Sequence, residues 1–109
     1  MTSISLRLAD LRPGQPRRVV VDGVAVALVR VGDEVFAVDD VCSHAEVSLS
    51  EGEVSGCEIE CWLHGSRFDL RTGDPSGPPA YEPITTFPVQ IEGQGDEAVV
   101  LVAIPEEAR

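Results

Sequence analysis

The sequence predicts an all-β domain built of antiparallel strands. Short runs of alternating apolar residues recur along the chain, and Gly- and Pro-rich turns separate them. No segment longer than about ten residues sustains the 3.6-residue apolar period of a helix. Ile4, Leu6 and Leu8 alternate with polar residues and give a first short strand. Residues 11–16, LRPGQP, form a turn-rich connection into a strand over Arg17–Val21. Asp22-Gly23 is a strong two-residue hairpin signal, with Val24–Val31 as the return strand. Gly32-Asp33-Glu34 turns the chain into Val35–Asp39. A polar loop is expected over about Val41–Ser55, then a strand at Cys57–Trp62 on which Cys57, Ile59 and Cys61 share one face. A loop at His64–Arg67 leads to a short strand, Phe68–Leu70. Arg71–Ala80, RTGDPSGPPA, is a connection, because its prolines cannot sit inside a helix. Ile84–Glu92 reads as one strand whose Pro88 places it at a sheet edge or at a bulge. Gly93-Gln94-Gly95-Asp96 then turns into a last strand, Ala98–Ile104.

With 109 residues, 43% of them hydrophobic, the chain supports one domain over 1–109 with one modest core. The apolar run Val19–Val31 is interrupted by Asp22 and Arg30 and falls short of the ~20 residues of a membrane span. The first fifteen residues carry no apolar stretch with a cleavage site, so no signal peptide is expected and the cytoplasm is the expected compartment. The net charge is −11, and all eight cations are Arg. Between Val31 and Ser66 stand Asp33, Glu34, Asp39, Asp40, Glu46, Glu51, Glu53, Glu58 and Glu60, with no Lys or Arg. Such a surface repels a phosphate backbone, so nucleic acid is not an expected partner. It reads either as a solvated, solubilising face or as a surface that steers a basic partner protein.

Three Cys in a chain expected to be cytosolic argue against a disulfide framework and for a metal or redox role. Two of them pair with the only two His, as Cys42-Ser43-His44 and Cys61-Trp62-Leu63-His64, sixteen residues apart. Each pair lies in a loop at the end of an expected strand. The second pair has the two-residue spacer common in structural zinc sites, whereas the one-residue spacer of the first strains chelation of a single tetrahedral ion. Two irons side by side relieve this, because neighbouring ligands can bind different irons.

This C-x-H-x16-C-x-x-H spacing resembles the Rieske [2Fe–2S] fingerprint. The likeness extends through Cys61–Pro75, CWLHGSRFDLRTGDP, which is similar to the second cluster loop of Rieske-type ferredoxins. GPPA at Gly77–Ala80 is similar to the proline loop that covers the cluster from a third side. The resemblance spans about residues 33–92. It implies a small antiparallel Rieske-like β-sandwich or barrel, with a cluster-binding part at about 39–83 made of two loops plus the proline loop. It also implies one [2Fe–2S] cluster, with Cys42 and Cys61 on one iron and His44 and His64 on the other.

The respiratory branch of this family carries an extra Cys in each cluster loop; here Val47 and Leu63 stand at those positions, so that disulfide cannot form. Ser66 occupies the place of a Ser that bonds to a cluster sulfur, Phe68 replaces a Tyr that does the same, and Trp62 stands where Pro is frequent. The branch's membrane anchor is not expected. What the resemblance implies is a low-potential ferredoxin toward the bottom of the Rieske range, about −150 mV. It would be a monomer without catalytic residues, passing single electrons from an NAD(P)H-dependent flavin reductase to a terminal non-haem iron oxygenase such as an aromatic-ring dioxygenase. Alternatives are a small Rieske subunit of a larger redox enzyme such as nitrite reductase, and a structural zinc module. Cys57 is expected to be an inert core thiol, Arg67, Asp69 and Arg71 to brace the loops, Gly65 to permit close backbone approach to the cluster, and Gly73 to serve only a turn.

Overall fold

The computed structural model describes residues 2–21, 23–41, 48–62, 65–76 and 82–104. Its ten strands are β1 (Thr2–Arg7), β2 (Arg17–Val21), β3 (Val24–Val31), β4 (Glu34–Asp39), β5 (Glu53–Ser55), β6 (Glu58–Glu60), β7 (Arg67–Asp69), β8 (Thr86–Phe87), β9 (Val89–Glu92) and β10 (Val99–Ile104). They form three antiparallel sheets, ordered β1-β10-β9, β2-β3-β4-β8 and β5-β6-β7. The only helical pieces among the described residues are single 3₁₀ turns, so no helix is long and apolar enough to cross a membrane. The expected all-β class holds. Of the two architectures expected, the open sheets give the sandwich, and no closed barrel forms among the described residues.

The layers follow from the side-chain alternation of β3, VAVALVRV. Val24, Val26 and Leu28 face a core shared with the first sheet, where Val100, Val102 and Ile104 of β10 meet them. Ala27 and Val29 face the other way, into a second core with Val38, Leu49, Ile59, Cys61, Phe68 and Leu70. Both faces of the central sheet are therefore covered, which is why β3 is an almost unbroken apolar run rather than an alternating one. The third sheet adds Ile59 and Phe68 to the second core, with Val54 packed against it, and turns Glu53, Glu58, Glu60 and Arg67 outward.

Three expected segments are built differently: the strand expected at Cys57–Trp62 is confined to Glu58–Glu60, and one further strand and one loop are divided. Ile84–Glu92 divides at Pro88: Phe87 pairs with Ala37 of β4, whereas Val89 pairs with Val102 of β10. Proline has no N–H for a ladder, and its carbonyl alone is used, accepting from Ala103 N at 3.0 Å. The chain thus crosses from one sheet to the other at that residue. The expected polar loop before Cys57 contains a 3₁₀ turn at Leu49–Glu51 and strand β5. Only Val54 in β5 is apolar, so its pairing with Ile59 of β6, not its own pattern, makes it a strand.

Candidate metal centre

Three loop roots lie at the second core, each fixed by backbone bonds. The first loop leaves the end of β4 at Val41 and returns at Ser48, where the two residues form an antiparallel bridge. Leu49 N donates to the Asp40 carbonyl at 2.6 Å, and the fully buried Leu49 side chain seats this root in the core. The second loop joins β6 to β7. Cys61 N donates to Ser66 O at 2.7 Å and Gly65 N to Cys61 O at 2.9 Å. Gly65 takes φ +74°, a left-handed conformation that costs other residues energy. The third root follows β7: Pro75 bridges Phe68, and Ser76 N donates to Arg67 O at 2.9 Å. Leu49, Cys61 and Phe68 belong to one packed cluster, so the three roots share a single foundation.

Of the expected ligands, Cys61 lies at the root of the second loop with its thiol side chain fully buried. Cys42, His44 and His64 lie outside the described residues, as do Val47, Leu63 and the Gly77–Ala80 proline loop. Ser66 is also fully buried, and its Oγ has no hydrogen-bond partner among the described residues. A buried hydroxyl without a partner costs about 1–3 kcal/mol, so it marks a place where an acceptor is wanted. A thiol sealed from water, on a residue whose backbone is bonded to that of Ser66, fits a Cys ligand of a sulfide-bearing cluster whose sulfur can accept from the hydroxyl.

Trp62, next to Cys61, is 51% exposed and lines a groove of about 320 Å³ with Glu51, Gly52, Glu53 and Glu60. Of the ion pairs expected to brace the loops from Arg67, Asp69 and Arg71, Arg67 makes one with Glu60 at 3.7 Å across the β6–β7 ladder, whereas Asp69 Oδ1 accepts from the Arg71 backbone N at 2.8 Å. Cys57 departs from the inert core thiol expected. It is half-buried, outside either core, and its Sγ accepts from Arg71 Nη2 at 3.1 Å. That bond is the main cause holding the Arg71 guanidinium above its ordinary pKa. No sequence pattern signals this contact, because Cys57 and Arg71 are brought together by the fold, where Leu70 N bonds to Cys57 O at 2.8 Å. Gly73 is more than a turn residue. It is buried at φ +82°, and a Cβ there would overlap the Ile84 carbonyl oxygen.

The acidic run is not uniformly a surface feature. Asp40 is 1% exposed and paired with Arg18, Nε to Oδ2 at 3.0 Å, from another strand of the sheet. Asp33, Glu34, Glu51 and Glu53 are exposed.

Comparison with known proteins adds the lineage. A family model described as the Rieske [2Fe–2S] domain matches residues 4–88. The ferredoxin component of the p-cumate 2,3-dioxygenase system of Pseudomonas putida is 45% identical over 86 residues, which cover 77% of this chain and 73% of that one. Among solved structures, the ferredoxin of carbazole 1,9a-dioxygenase from Nocardioides aromaticivorans IC177 has a TM-score of 0.85 at 40% identity, covering 94% of this chain and 98% of that one. A ferredoxin solved as a complex of reduced oxygenase and oxidised ferredoxin in carbazole 1,9a-dioxygenase has a TM-score of 0.77 at 38% identity, covering 89% of this chain and 99% of that one. The family model covers most of the chain and the p-cumate relative is well above 30% identical, so this chain belongs to the Rieske [2Fe–2S] domain family.

Proposed function

We propose that this protein is a one-electron carrier, a single domain over 1–109 whose cluster-binding part is about 39–83. Cys42 and Cys61 hold one iron of a [2Fe–2S] cluster, and His44 and His64 hold the other. When bound, the cluster supplies reversible one-electron redox chemistry at a potential raised by its His ligands. The chain's own work is to hold and shield that group. Cys61 is fixed by its backbone bond to Ser66, the second core excludes water from the thiol side, and Ser66 offers a hydroxyl to a sulfur. The donor is a flavin reductase using NAD(P)H, and the acceptor is a terminal non-haem iron oxygenase with a basic docking face. The protein works as a monomer in the cytoplasm.

The observation that carries this reading is the buried Ser66 hydroxyl, without a partner among the described residues, on a residue whose backbone bonds that of the buried Cys61 at the root of a loop bearing CWLHGSRFD. The naming of relatives as ferredoxin components, one of them solved with its oxygenase, supports the partner class. Iron and sulfide analysis of the purified protein, with EPR after reduction, tests it. About two irons and two sulfides per chain and a Rieske-type signal, abolished by His64→Ala, are expected. A colourless protein containing zinc would overturn it.

A further inference from the structure

Asp40 is the single charged side chain buried among the described residues. It sits at the end of β4, two positions before Cys42. Its groups tie together both ends of the first loop's base. The backbone N–H donates to Ala25 O of β3 at 3.0 Å, and the carbonyl accepts from Leu49 N. The carboxylate's Oδ1 accepts from Ser50 N at 2.8 Å, and its Oδ2 from Arg18 Nε at 3.0 Å. Arg18 comes from β2, where it is paired with Ala27 and so shares the sheet face of the second core. Its guanidinium spans β3 to reach Asp40 and keeps its outer half in water, with a side chain 53% exposed.

Burying a carboxylate is costly unless it is paired and hydrogen-bonded, and here both oxygens are. An amide would not replace it: one oxygen could still accept from Ser50, but the other end would turn a donor toward the Arg18 donor. The site therefore takes acceptors at both oxygens, one for Ser50 N and one for Arg18 Nε. We propose that Arg18 and Asp40 are the positioning pair for the loop that carries Cys42 and His44: Asp40 clamps the loop's base, and Arg18 occupies the carboxylate oxygen that Ser50 leaves free. The pair also leaves one balanced set of charges beside the first loop. This rests on the assignment of Cys42 and His44 as ligands.

The test uses the full chain with its cluster, in the variants Arg18→Gln, Arg18→Lys and Asp40→Asn. Hydrogen exchange read by mass spectrometry on the peptide spanning 48–52 reports the clamp. Arg18→Gln and Asp40→Asn are each expected to speed it about tenfold, the loss of one buried charge-assisted bond. The rate at which visible absorbance fades under a chelator is expected to rise in both. Film voltammetry separates charge from mere loosening. Arg18→Gln removes a cation and lowers the potential, Asp40→Asn removes an anion and raises it, and Arg18→Lys keeps the charge and restores the parental value. The proposal is overturned by parental exchange over 48–52 in Arg18→Gln, by potential shifts of the same sign in Arg18→Gln and Asp40→Asn, or by Arg18→Lys behaving like Arg18→Gln. If Arg18→Gln does not fold, Arg18→Lys against Asp40→Asn decides on the same readouts. A parent protein free of iron would sink the ligand assignment instead, and exchange over 48–52 would still read the clamp.

Discussion

Replacing Ser66 with Ala separates two accounts of its buried hydroxyl. The Oγ is sealed from solvent and has no partner among the described residues, while the backbone bond between Cys61 N and Ser66 O at 2.7 Å holds the residue opposite Cys61. If a cluster sulfur accepts from it, the bond strengthens on reduction, when the sulfurs carry more negative charge. A hydrogen bond is worth about 0.5–1.5 kcal/mol net. One pKa-sized step of about 1.36 kcal/mol corresponds to about 59 mV for one electron. Loss of a donor that favours the reduced form by that much lowers the potential by about 20–65 mV. Protein-film voltammetry at pH 7 on the parent and on Ser66→Ala measures it directly. The opposing account makes the hydroxyl an orphan. Its removal would then stabilise the fold by about 1–3 kcal/mol and leave the potential where it was. That pair of results would refute the reasoning.

Other outcomes follow from the same geometry. Gly73→Ala forces both a left-handed residue and a clash with Ile84 O, and is expected to cost about 2–4 kcal/mol, lowering Tm by about 10–20 °C in thermal melts. Cys57→Ser leaves iron content and the EPR signal at parental values, since Cys57 meets Arg71 and lies outside the core that holds Cys61; loss of iron would make it a ligand. The second-order rate of reduction by the flavoprotein falls as salt rises, because exposed carboxylates such as Glu51 and Glu53 act through a field screened over about 8 Å at 0.15 M. Stopped-flow rates that are flat across the salt range would leave those residues a purely solubilising role.

The strands that sequence predicts best are those whose ends are punctuated chemically. Arg17–Val21 and Val24–Val31 begin and end where expected, because Asp22-Gly23 between them favours a two-residue hairpin turn. Pro88 was visible as an anomaly, but whether it makes an edge, a bulge or a crossing between sheets depends on which strands flank it in space. Strand β5 has one apolar residue and owes its existence to β6, so its own three residues carry no pattern to read. The Cys–His spacing pointed to metal chemistry, because both His lie within three residues of a Cys, though Cys42, His44 and His64 fall outside the described residues. Asp40 was indistinguishable from its eight acidic neighbours in sequence: the partner that allows it inside, Arg18, is 22 positions away. The same holds for Arg71 and Cys57, 14 positions apart.

The three sheets differ in how far along the chain their partners lie. The third is assembled from neighbours, with all its strands inside Glu53–Asp69. The first joins the two ends of the domain, with Thr2 opposite Ile104. Closing a long loop carries an entropy cost that local pairing avoids, and contacts distant in sequence slow folding. During synthesis, the segment that frames Cys61 can pair as soon as it emerges, whereas β1 must wait for β10. Iron–sulfur assembly would then meet a half-finished sandwich whose metal-binding edge is ordered before its opposite wall, and a truncation inside β10 would strand β1 and open the first core while leaving β5, β6 and β7 their own partners.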